Sequence, residues 1–321
     1  MVSVPKGSIA GIITSLSNNG FEVNQFDKNI LRFLGKPQYG IIDMSTCIKG
    51  VSIACDIQEN LSDKSSNEIS QTTNQNLSHL QMLNDIDSST KYNISKGDFL
   101  YLLTSAKAAQ SQITLIPGET MYFFIRQIAH KFSLSKEKLE AAFKQYSPYI
   151  EGVILPDTYK IPNGISEEEI IKNLVSFSLQ KHKNLSMEML GRYNQNEWFR
   201  YVAMASIIQK EAASIEEMPF VSAVIYNRLK LGMPLQMDGS LNYGEFSHSK
   251  VTPERIRKDK SQFNTYLNKG VPPTPVGSAS INAIKAALNP AKVDYLYFVR
   301  NKEGKHSFSK TYKEHKENFK K

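Results

Sequence analysis

The chain has 321 residues, 40% hydrophobic and 22% charged, with a formal net charge of +8. That is the balance of a soluble globular protein long enough for two domains. No apolar run reaches the ~18–20 residues of a membrane span, and no signal peptide is visible. The 39 Lys and Arg are spread along the chain apart from a lysine-rich end, without an arginine-rich block or an aromatic RNA-binding signature. Such a balance suits nucleic acid, an anionic glycan or a phospholipid surface, and does not choose among them. The two cysteines, Cys47 and Cys55, lack metal-ligand and C-x-x-C spacing, so neither a zinc site nor another metal or cofactor is expected. They are read as two free thiols or, in an oxidising compartment, a disulfide.

Residues 4–34 read as strand, turn, helix, short strand at Phe21–Val23, and helix, a unit that needs a partner strand to close it. Residues 57–92 form a polar insertion, nearly all Ser, Asn, Gln, Thr, Lys and Glu from Asp63 to Asn76, with a short amphipathic helix expected from Leu77 to Leu83. Ser95 is a plausible N-cap for a helix carrying Phe99 to Leu103, and Ile113 to Ile116 a strand. Amphipathic helices follow on Phe123–Phe132, on Leu139–Tyr146 (begun at Ser133 or Ser135) and after the capping box Ser166/Glu169. A strand is expected before Asp157, with Asp157 itself as a turn former. Ser214/Glu217 has capping-box spacing ahead of a helix begun near Pro219 and stopped at Gly232. Ser280 caps another helix, and Tyr295–Val299 is the clearest strand, returning through Asn301–Gly304 to His306–Ser309.

Between these lies the segment from Asn196 to Glu211. Trp198, Val202, Met204, Ala205, Ile207 and Ile208 follow the helical period with few charges among them. Glu211 falls on the face of Met204, Ile207 and Ile208, where lost solvation would raise its pKa toward that of a general acid working near neutral pH. A glutamate in a last helical turn is more commonly solvated or bonded to an amide, so Glu211 alone does not identify an enzyme.

A set of short motifs adds to this reading. They are Glu151-Gly152 with Leu155–Tyr159, Ala205–Glu211, Asn227–Leu229 with Gly232–Asp238, Phe263–Tyr266, Gly270–Pro273, Ala286–Pro290, Tyr295–Val299 and Gly304–Ser309. In this order they resemble the endolytic murein transglycosylase (YceG-like) family from about residue 113 to 315. Gln209, Gly239-Ser240, Ser278-Ala279 and Val153-Ile154 depart from the family pattern without touching Glu211.

The resemblance implies an α+β protein: a LysM-like βααβ domain over 1–112, then a helix-rich catalytic domain over 113–321. It implies cleavage of the MurNAc-β-1,4-GlcNAc bond of nascent peptidoglycan strands to a 1,6-anhydro end, terminating elongation, with Glu211 as the catalytic acid. Gln236, Asn264 and Tyr266 would fit a glycan groove, Tyr243 could stack on a sugar, and His306 could orient a substrate group or Glu211. Asp238 could bind a hydroxyl, or serve as the second carboxylate of a hydrolytic muramidase. Expected partners are glycan strands and the polymerising penicillin-binding proteins, not nucleic acid. The expected location is the periplasmic face of the inner membrane, through an N-terminal anchor absent from this chain. A non-catalytic cell-wall-binding protein is the competing class.

Overall fold

In the computed structural model, residues 2–42, 95–105 and 109–319 are described. Cys47, Cys55, the polar insertion and the Leu77–Leu83 helix lie outside them. The chain divides into two compact units, residues 1–111 with 162–164, and residues 112–161 with 165–321.

In the first unit β1 (Val2–Val4) leads to α1 (Ile9–Asn18), whose N-cap Ser8 accepts the Gly11 N–H. After α2 (Asp27–Leu34), β2 (Gly40–Ile42) pairs antiparallel with β1, Val2 opposite Ile42, so the missing partner strand comes from the residues just past α2. The expected strand at Phe21–Val23 is instead a reversal: the Val23 N–H donates to the Phe21 carbonyl, and the Phe21 ring stacks on Phe99. Ser95 caps α3 (Lys96–Ser105) by accepting from the Asp98 N–H. Val4, Ile12, Ile13, Leu16, Leu31, Leu100 and Leu103 fill the core of this unit.

Strand β3 (Gln110–Leu115), in the second unit from residue 112, pairs with β4 (Asp157–Pro162), in it up to residue 161. Between them lie α4 (Met121–Phe132) and α5 (Lys136–Tyr146); Ser133 ends the first in a left-handed conformation and Ser135 caps the second. Val153 to Leu155 are buried without strand pairing. The strand begins only at Asp157, which is ion-paired with Lys181 and so is not simply a turn former. Two long helices follow, α6 (Glu167–Leu190) and α7 (Gln195–Glu211).

Helix α7 is apolar nearly all round, with Trp198, Phe199 and every residue from Val202 to Ile208 buried, as befits an element covered on several sides. Its polar atoms are matched: Trp198 Nε1 donates to His182 Nδ1 at 3.0 Å, while His182 Nε2 meets the Val153 carbonyl at 3.0 Å. Burial holds this imidazole neutral, its pKa pushed down to about 4.

Next come α8 (Met218–Lys230), the short α9 (Pro253–Lys258), α10 (Ile281–Leu288) against α7, the hairpin β5 (Tyr297–Arg300) and β6 (His306–Ser309), and α11 (Tyr312–Asn318) packed on that hairpin. Ser214 and Glu217 do not form a capping box. Glu217 is itself the N-cap residue of α8, and its carboxylate accepts from Ala213 and His306. Strand β5 starts two residues later than its composition predicts, because the carbonyls of Tyr295 and Leu296 accept from Asn227 and Arg228 side chains of α8. Among the described residues no helix is long and apolar enough to cross a membrane.

Candidate active site

Glu211 closes the last turn of α7, where the chain leaves the core. The residue is half-buried, and its Oε1 accepts the backbone N–H of Gly239 at 2.6 Å. Burial dominates its electrostatics and pushes its pKa from 4.5 to about 7; the Gly239 bond and the Arg228 charge pull the other way, and the Asp238 charge adds to the rise. Among the described residues no hydrogen bond reaches Oε2.

The loop opposite Glu211 is built to come close. A Cβ on Gly239 would lie 3.0 Å from Glu211 Oε1 and 2.8 Å from Lys210 Cβ, so only glycine lets this N–H reach the carboxyl. Gln236, at φ 50°, turns the chain into the loop. Its N–H donates to the Thr265 carbonyl, the Met237 N–H to Thr265 Oγ1 at 3.0 Å, and Ser240 Oγ to the Met237 carbonyl. From α8, the buried Arg228 guanidinium donates to the Leu235 carbonyl at 2.6 Å and the Leu296 carbonyl at 2.7 Å, tying the loop to the start of the hairpin.

Glu211, Arg228, Leu235, Gln236, Asp238 and Tyr266 line one cleft of about 390 Å³, together with aromatic residues of β5 and α11. Tyr266 donates its hydroxyl to Asp238 Oδ1 at 2.6 Å, and burial and that carboxylate hold the phenol well above its usual pKa. A larger cavity of about 700 Å³, lined by Tyr201, Met204, Tyr226 and Pro272, does not include Glu211; its one carboxylate, Glu197, is ion-paired with Arg192.

Of the residues singled out in the sequence, Glu211, Gln236, Asp238 and Tyr266 therefore meet in one cleft. Asn264 does not join them. It is 0% exposed, its amide nitrogen donating to the Ile256 and Asp259 carbonyls and its oxygen accepting from the Tyr266 N–H, so it shapes the loop from beneath and offers nothing to a sugar. Tyr243 stacks on Phe263 and donates to Asp259, away from the lining of the cleft. His306 contacts Glu217 at 2.7 Å rather than Glu211. Sequence reasoning missed Arg228, Gly239 and the aromatic lining; of these, Arg228 carried a signal, since an arginine in a largely apolar helix needs acceptors.

On the far side of the Lys210–Glu211 step, Glu151 is buried and accepts the Met121 N–H with both oxygens, its pKa raised to about 8 by burial. Burial lowers the neighbouring Lys210 to about 8, and its Nζ donates to Ser247. Among the described residues no cluster of His, Cys, Asp and Glu could hold a metal.

The second unit is thus a helix-rich α+β fold in which a half-buried carboxyl, Glu211, lines a polar and aromatic cleft. Residues 52–321 match the YceG-like family, and the chain belongs to that family. It is 35% identical over 167 residues to the endolytic murein transglycosylase of Bacillus subtilis, covering 52% of this chain and 46% of that protein. To the endolytic murein transglycosylase of Streptococcus pneumoniae it is 30% identical over 238 residues, 70% of this chain and 40% of the relative. The chain thus spans less than half the length of these relatives. A crystal structure of a yceG-like protein from Listeria monocytogenes superposes with a TM-score of 0.54 at 28% identity, covering 69% of this chain and 81% of the other.

Proposed function

We propose that this chain is an endolytic lytic transglycosylase, cutting the MurNAc-β-1,4-GlcNAc bond within peptidoglycan strands to leave a 1,6-anhydro-MurNAc end. The observation that carries this is Glu211, a carboxyl with its pKa near 7 facing the cleft, in a chain similar to proteins named for that activity.

In this reaction Glu211 Oε2–H protonates the glycosidic oxygen as the bond from muramic C1 breaks. The positive charge left on C1 and the ring oxygen is then met by the sugar's own 6-hydroxyl oxygen, which forms the new bond to C1. The Glu211 carboxylate takes the proton that this hydroxyl releases, and no water is consumed. One carboxyl serves as acid and then as base, whereas hydrolysing glycosidases use two. The Gly239 N–H stabilises the carboxylate between the two transfers. Gln236 and Asp238, both exposed in the cleft, supply polar contacts to the strand, and Tyr266 holds Asp238 in place.

The βααβ order of the first unit fits a LysM-like glycan-binding module that would hold the strand. Action on nascent strands at the outer face of the inner membrane, beside polymerising penicillin-binding proteins, belongs to the same reading. Asp238 in the same cleft is the observation favouring a second reading, a hydrolytic muramidase with Glu211 as acid. Mass spectrometry of digested uncrosslinked strands separates the readings. A product lighter by one water than the hydrolytic one is expected; the hydrated product would make Asp238 a second catalytic group, and no product would leave a binding protein.

A further inference from the structure

The last helix of the chain carries side chains that neither the family motifs nor the acid chemistry uses. Tyr312 and His315 of that helix, Phe319 directly after it and Tyr297 of β5 line the same cleft as Glu211. Tyr312 is 59% exposed and Phe319 66% exposed, so two large apolar faces stand open at the cleft. Their rings form a connected series: Phe319 meets His315 edge-on at 4.9 Å, His315 stacks on Tyr297 at 5.3 Å, and Tyr312 lies 5.9 Å from Tyr297.

The series is fixed at its root. The Arg228 guanidinium sits 5.3 Å over the Tyr297 ring while bonded to two carbonyls, and Thr311 and Glu314 close a capping box at the start of α11. Burial and the Arg228 charge lower the pKa of His315, which favours its neutral ring.

We propose that α11 and the Phe319 that follows it form a sugar-stacking wall of the Glu211 cleft, in which Tyr312 and Phe319 receive the apolar face of one N-acetylhexosamine ring of the glycan strand. This rests on the glycan reading of the cleft and adds a subsite to it. A hexosamine has one face of C–H groups and a rim of hydroxyls and an acetamido group. The wall offers rings to the face, and Gln236 and Asp238, exposed in the same cleft, offer an amide and a carboxylate to the rim. Rings already held in place lose little side-chain freedom on binding, which favours tight stacking over a mobile contact.

The test uses the full chain carrying Tyr312→Ala and Phe319→Ala together, with Tyr312→Trp and Phe319→Trp as the conservative pair. Uncrosslinked glycan strands are the probe, read by strand binding in the Glu211→Gln background and by KM and kcat in the active one. Both side chains are exposed, so the fold should be unaffected. The alanine pair is expected to weaken strand binding and raise KM about tenfold while kcat stays within about twofold, and the tryptophan pair to bind as the parent does. Unchanged binding and KM in the alanine pair, with an active parent, overturn the wall and leave Glu211 as the acid. Weakened binding with an inactive parent keeps the wall and overturns the transglycosylase reading. A parent that binds no strand overturns both.

Discussion

A carboxyl with its pKa near 7 is a mixture of acid and carboxylate at neutral pH, the condition for donating a proton and then taking one back. In the proposed reaction Glu211 enters protonated, so kcat/KM is expected to fall tenfold per pH unit above about 7. Removing the charge that helps raise its pKa, by Asp238→Asn, should move that alkaline limb to lower pH; a pH–rate profile of both proteins checks this. The same group affects stability with a definite sign. Its folded pKa lies above the unfolded 4.5, so the folded state binds more protons between 4.5 and about 7. The parent should therefore lose stability relative to Glu211→Gln as pH rises through that window, read by denaturant midpoints. At Gly239 the expectation is steric. The Cβ of Gly239→Ala would press on Glu211 Oε1 and Lys210, displacing the acid and lowering kcat on the order of a hundredfold, with circular dichroism unchanged.

At the scale of elements, the cleft is one helix end facing a loop that is tied from behind. The stop of α7 sets where the carboxyl stands, and the residues around Thr265 set where the Gly239 N–H points. Asn264→Ala would strip the Ile256 and Asp259 carbonyls of their shared buried donor at a cost of about 1–3 kcal/mol, and urea unfolding should show it. Its effect on activity should follow that loss of order, with KM and kcat both affected, because the side chain does not reach the cleft. Helix α7 was legible because an unbroken apolar period predicts a buried helix, and a lone carboxylate on its inner face predicts a raised pKa. The partners of that carboxylate were not. The Gly239 N–H comes from 28 residues further on, and no local pattern announces a backbone donor. Asn264 and His306 misled because residue type suggests a ligand contact, whereas the nearby Asp259 carbonyl claims the first and the distant Glu217 carboxylate the second.

Across the whole molecule, each unit has its own core; the two helices of the first were legible, but the strand read at Phe21–Val23 is absent and the closing strand at Gly40–Ile42 was not placed. The C-terminal helix was not legible as part of a site. A lysine-rich tail reads as a solvated end, and only the fold brings Tyr312, His315 and Phe319 to the cleft. Helix α7, the Gly239 loop, Arg228 and the hairpin all meet around the Glu211 carboxyl. The most direct trial of that convergence is to digest uncrosslinked glycan strands with the parent and with Glu211→Gln in parallel, and to weigh the products. Anhydro-ended fragments from the parent and none from an equally folded Glu211→Gln protein are expected. Anhydro ends released by both at similar rates would place the acid on another residue.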